Sequence, residues 1–208
     1  MLSEWTTQRV YQHRPMLKKF QLLFSISRSN LIARRYFVVN GFDGALTMLG
    51  LLMGFYVSNE DVVTHMVFTA CMGAAIALSV SGISSAYISE SAEKKQELKE
   101  LESAMIANLQ DTAYGQAARS MPFIIAVVNG FAPLIFSLII MTPLVLAQWS
   151  PELITYPIET SVVTAFILIF FLGIFIGNIS DSFWLWAGLR ALMIALITSL
   201  IIFLVGLI

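Results

Sequence analysis

The chain has 208 residues, 58% of them hydrophobic and only 12% charged, with a mean hydropathy of +0.80. That balance excludes an ordinary soluble domain of this length. The net charge of −1 says little, whereas the placement of the twelve Lys and Arg residues says a great deal.

Seven of those twelve precede residue 36: Arg9, Arg14, Lys18, Lys19, Arg28, Arg34 and Arg35. Within residues 15–33, Met16, Leu17, Phe20, Leu23, Phe24 and Ile26 recur close to helical spacing among these cations. The pattern predicts an interfacial amphipathic helix on an anionic leaflet; a basic tail that only fixes orientation has the same look. Charges run throughout this segment and no apolar stretch ends in a small-residue cleavage site, so no cleavable signal peptide is expected.

Five apolar runs follow, at residues 36–57, 62–89, 121–149, 160–180 and 182–208. Each exceeds the ~18 residues needed to span a bilayer, and none shows strand-type alternation. The fold class predicted is therefore an all-α membrane protein with five transmembrane helices. Four more cations, Lys94, Lys95, Lys99 and Arg119, fall between spans two and three, and the last, Arg190, lies near the start of span five. The positive-inside rule places the N-terminus and the 90–120 segment in the cytoplasm and the C-terminus outside. The expected organisation is a basic tail (1–35), spans one and two (36–89), a cytoplasmic acidic helical segment (90–120) and spans three to five (121–208).

Asp43 is the only charged residue in span one. A carboxylate at the centre of a span costs roughly 2.5 to 3.5 kcal/mol or more, so one that stays has a partner, a proton or a cation. In a helix Asn40, Asp43 and Thr47 share a face, which makes a stripe of oxygen donors. One carboxylate for which a proton and a metal compete is the simplest physical basis for proton-coupled metal transport, because metal binding requires the deprotonated form. The alternative is a buried acid paired with Arg190 to lock the bundle. Met48 and Met53 on the same helix and Met72 on the next offer soft thioether ligands, although methionine is equally a common apolar filler.

Span two is rich in small residues. Its Ser81 and Ser84 hydroxyls share a face that suits either a polar path or close helix packing. Cys71, the single cysteine, permits no disulfide within one chain. Beyond Ser89 no helix breaker occurs until Gly115, so span two is expected to continue into the cytoplasm. There Glu90, Glu93, Glu97 and Glu100 recur at three- and four-residue steps as a stripe able to gather a divalent cation. The competing reading is a solvated helix laced by the pairs Glu90–Lys94, Lys94–Glu97 and Lys99–Glu102.

Span three is expected to open at Met121-Pro122 and to bend near Asn129-Gly130 and Pro133, where proline removes a backbone hydrogen bond and exposes a carbonyl. Asn129 thereby joins the candidate path. Pro143, Pro151 and Pro157 belong to the external end of that span and the following loop. His13 in the tail and His65 at the external end of span two have no nucleophile to pair with, and no Glu-x-x-His motif occurs, so the chain does not read as an enzyme.

The stretch Asn40-Gly41-Phe42-Asp43-Gly44-Ala45-Leu46-Thr47, with the glycine-spaced run through Gly54, resembles the first span of the vacuolar iron transporter family. Residues 86–93 resemble the cytoplasmic end of that family's second span, and Leu189-Arg190-Ala191-Leu192 with Thr198 its last. The resemblance covers residues 33–208. It implies a homodimeric exporter of Fe2+ and/or Mn2+ from the cytosol in exchange for protons, with Asp43 as the acid of the translocation path and the glutamate stripe as a metal-gathering region. It also implies a prokaryotic-type member with a short cytoplasmic insert, resident in the cell membrane. The metal is then substrate, and no cofactor is expected. In span two the family's methionine and Gly-Glu-Tyr acid are replaced by Gly82 and Ser85-Ala86-Tyr87, leaving Glu90 and Glu93 to supply carboxylates near the membrane surface. The alternative function is a non-transporting scaffold or regulator whose charged helix binds a partner.

Overall fold

The computed structural model describes residues 29–58, 63–150, 152, 154–179 and 183–207. These form five helices: α1 (Ser29–Val57), α2 (Thr64–Met105), α3 (Ala113–Trp149), α4 (Pro157–Ile179) and α5 (Trp184–Val205), with no strand among the described residues. All five are long and apolar enough to cross a membrane. Helices answer the demand that hydrocarbon makes, since each backbone group finds its partner within the segment. The predicted amphipathic tail lies outside the described residues, apart from its last few positions, which belong to α1. Residues 59–62, between the first two spans, lie outside them too.

α1 begins at Ser29, seven residues ahead of the apolar run at 36, and two further boundaries differ from the sequence expectation. α2 ends at Met105, ten residues before Gly115, through Ile106 in the left-handed region at φ 51°. α3 begins at Ala113 and not at Pro122. Thr112 caps it: its hydroxyl accepts from the Gly115 N–H at 3.3 Å, and its carbonyl accepts from the Gln116 N–H at 3.0 Å. Pro122, Pro133 and Pro143 all lie inside α3. Pro157, by contrast, takes the first position of α4, where a missing N–H costs nothing, and Glu159 adds a negative charge to that first turn.

The residues fall into two compact units. The larger joins Arg35–Ile83 to Val128–Ile208. Its core takes Ala45, Met48, Leu49 and Leu52 from α1, Val67, Cys71 and Ala75 from α2, Ile140, Met141 and Leu144 from α3, Ala165 and Ile169 from α4, and Ala191 and Ala195 from α5. Lipid is as apolar as these side chains, so close contact and not escape from solvent must hold the helices together. Small residues supply that contact. The buried face of α5 is Gly188, Ala191, Ala195 and Ser199. A Cβ added at Gly173 of α4 would lie 2.5 Å from Ala191 Cβ and 2.9 Å from the Ala187 carbonyl. Exposed aromatics flank this hairpin, with Tyr156 before α4 and Phe183, Trp184 and Trp186 at the turn into α5.

The smaller unit contains Ser84–Val127. Ala86, Glu90 and Lys94 of α2 are buried there, as are Ala117, Met121, Ile125 and Ala126 of α3. Gly115 sits under the connecting loop, where an added Cβ would meet the Leu109 carbonyl at 2.4 Å.

Candidate functional site

The larger unit places Asn40, Asp43 and Thr47 on α1. The buried positions of that helix, Ala45, Met48, Leu49 and Leu52, have no exposure at all, whereas Asp43 is exposed. The acid therefore points away from the chain's own core. Thr47 donates its hydroxyl to the Asp43 backbone carbonyl at 2.8 Å, an i−4 bond that uses its hydrogen and leaves the oxygen lone pairs facing outward as acceptors.

The expected alternative partner is not in place. Arg190 is exposed on α5, and no ion pair joins it to Asp43. Asp43 is thus not locked by Arg190. Met48 fares no better as a ligand: it lies five residues on, about 140° around the helix, and packs in the core. Met72 is partly buried against the same core.

Asn129, a residue of the candidate path, is held in a hydrogen-bonded junction. It is 4% exposed, at the crossing of α1, α2 and α3. Its Oδ1 accepts from Asn40 Nδ2, and its Nδ2 donates to the Gly82 carbonyl at 2.7 Å. Asn40 Nδ2 also donates to its own helix, at the Tyr36 carbonyl 3.0 Å away. Close contacts surround the junction. An added Cβ at Gly44 would lie 2.7 Å from Pro133 Cα, one at Gly82 3.2 Å from Gly130 Cα, and one at Gly130 2.5 Å from the Ser79 carbonyl. Sequence reasoning did not pair the two amides. The signal was available, because an amide in an apolar run needs a partner and few such amides occur in these spans. Ser81 of α2 is exposed, next to Gly82.

In the smaller unit Ser84 is exposed, and the acidic stripe is divided. Glu90 is 2% exposed, whereas Glu93 and Glu100 lie on the exposed side. Lys94, itself buried, donates to Glu97 Oε2 at 2.7 Å, and the Tyr114 hydroxyl donates to the same oxygen at 3.2 Å. Burial by itself would lower the Lys94 pKa. The hydrogen bond and charge of Glu97, assisted by Tyr114 and Glu90, outweigh it and hold the ammonium above the ordinary lysine value. Burial, then Glu97, pushes the Tyr114 phenol up. The predicted Lys99–Glu102 pair is replaced by a loop contact, because Glu102 Oε1 accepts from the Leu109 N–H at 2.9 Å. Among the described residues no group of three or more His, Cys, Asp or Glu side chains has the geometry to hold a metal ion. The four glutamates expected to gather a cation are not brought together for it.

No family model, curated protein or solved structure matches the chain. The functional reading therefore rests on the residues themselves and on the motifs read above.

Proposed function

We propose that the chain is a divalent transition-metal transporter that exports Fe2+ and/or Mn2+ from the cytosol in exchange for protons, with Asp43 as the residue that metal and proton occupy in turn. The observation that carries this reading is Asp43 itself: an acid within an apolar span, exposed on the side away from the core and given no ion-pair partner among the described residues. Such a group calls for a cation, and the outward lone pairs of Thr47 add a neutral oxygen beside it.

A second copy of the chain would enclose the site. Thr47, Gly50 and Gly54 follow Asp43 at steps of four, three and four along α1, and an added Cβ at Gly54 meets nothing within 4 Å. A Gly-x-x-x-Gly face of this kind suits close helix association, so the proposed assembly is a homodimer through α1. The N-terminus is assigned to the cytoplasm by the positive-inside rule, and the setting proposed is the cell membrane of a prokaryote.

Proteoliposomes with an internal pH dye test the reading. Fe2+ or Mn2+ influx with opposing proton movement is expected from the wild type, and flux near background from Asp43→Asn. A second reading, in which the protein is a scaffold, draws on the engagement of Glu97 and Glu102 in local bonds, which leaves the acidic helix a structural part. Normal flux in Asp43→Asn would overturn the assignment of that residue, and no flux of either metal in the wild type would favour the scaffold.

A further inference from the structure

We infer that Asn129 is a positioning residue for Asp43, setting the rotation of α1 that turns the carboxylate away from the core. This inference rests on the reading of Asp43 as the cargo-binding acid.

The geometry separates two kinds of contact at the junction. Gly44 against Pro133 and Gly82 against Gly130 fix how closely the helices approach, but such smooth surfaces permit one helix to turn on another. Hydrogen bonds are directional and do not. Asn129 makes one to each neighbour, accepting from Asn40 on α1 and donating to the Gly82 carbonyl on α2. Being 4% exposed among apolar helices, it has no water to turn to if either bond is lost. Asn40 stands three residues before Asp43, about 60° around the same helix, so whatever holds Asn40 also fixes the direction in which Asp43 projects. Arg190, the other charged side chain of the apolar runs, makes no ion pair with Asp43 and does not compete to orient it.

Two variants remove the link from opposite sides. Asn129→Leu deletes both bonds, while Asn40→Leu deletes only the α1 bond and leaves Asn129 on Gly82. In Asn129→Leu the Asn40 amide keeps its bond to the Tyr36 carbonyl, so no buried donor is stranded. The readout is the rotational setting of α1, taken without metal from nitroxide labels placed singly at Val39, Asp43 and Leu46 in a Cys71→Ser background, as collision accessibility to oxygen and to a water-soluble nickel chelate. Both variants are expected to change the relative accessibility of the three sites in the same way, and the double variant to add nothing further. With native Asp43 restored, both should raise the KM for Fe2+ or Mn2+ flux by about tenfold, the factor expected from one misaligned contact to a charged group. An unchanged accessibility profile in both variants overturns the proposal even if wild-type flux is strong. A changed profile with no flux of either metal sustains the rotational role of Asn129 and sinks the transport reading instead. If Asn129→Leu is not recovered in folded form, Asn40→Leu decides alone.

Discussion

At the scale of single residues, glycines and amides in this chain have effects that their neighbours determine. Gly44 faces backbone: an added Cβ would lie 2.7 Å from Pro133 Cα. Backbone does not move aside as the end of a side chain does. Gly44→Ala is therefore expected to part α1 from α3 and to destabilise the purified protein by about 1–3 kcal/mol, seen as a lower thermal midpoint in detergent. An unchanged midpoint would mean that the crossing is looser than the contact implies. The Asn40, Asp43 and Thr47 face was legible in the sequence, since helical spacing alone groups them. Which way that face points was not legible, because α1 is apolar nearly all round and no polar side marks the solvent direction. For the same reason Met48 read as a neighbour of the acid when it is a core residue.

At the scale of elements, run length made the five helices evident, but not all of their ends. Nothing in Met105-Ile106 announces a stop, as a β-branched residue is a poor choice for the left-handed region. Pro122 read as a helix start and lies inside α3, whose true cap is Thr112. In the acidic stretch of α2 the Lys94–Glu97 pair was legible from its spacing and is present, whereas the burial of Lys94 and the Tyr114 hydroxyl on the same Glu97 oxygen were hidden until α3 was in view. The pair has a pH signature. Lys94 and Tyr114 both hold their protons more tightly in the folded protein than in the unfolded one. Stability from that source is fully present below their unfolded values, about pH 10, and is lost as the pH rises through the folded ones. Glu97→Gln removes the charge that sustains both bonds. Because the Glu97 side chain is 43% exposed, the expected cost near neutral pH is only about 1–2 kcal/mol. Thermal midpoints of wild type and variant should converge above about pH 10; a constant gap would show that the ion pair is not the source.

At the scale of the whole molecule, Asp43 and Gly54 of α1 are exposed on the protomer, while an added Cβ at Gly50 between them would meet Ile202 of α5 at 3.6 Å. Gly54→Leu is expected to leave the folded protomer intact, because an added Cβ meets nothing within 4 Å. The same change should weaken self-association and metal flux together. Light scattering of the purified protein and flux in liposomes check it, and a dimer that survives Gly54→Leu with full activity would move the interface elsewhere. The aromatics at the two ends of the α4–α5 hairpin have a different consequence. Between Tyr156 and Phe183 run the 23 residues of α4, a rise of about 34 Å against the ~30 Å of a typical hydrocarbon core. Interfacial rings resist being drawn into hydrocarbon or lifted clear of it, so they fix this hairpin's depth to the lipid headgroups. In a thinner bilayer the hairpin must tilt, and its glycine-packed partner helix must tilt with it. The lipid around the protein is then a mechanical setting of the fold, and acyl-chain length is one of its variables.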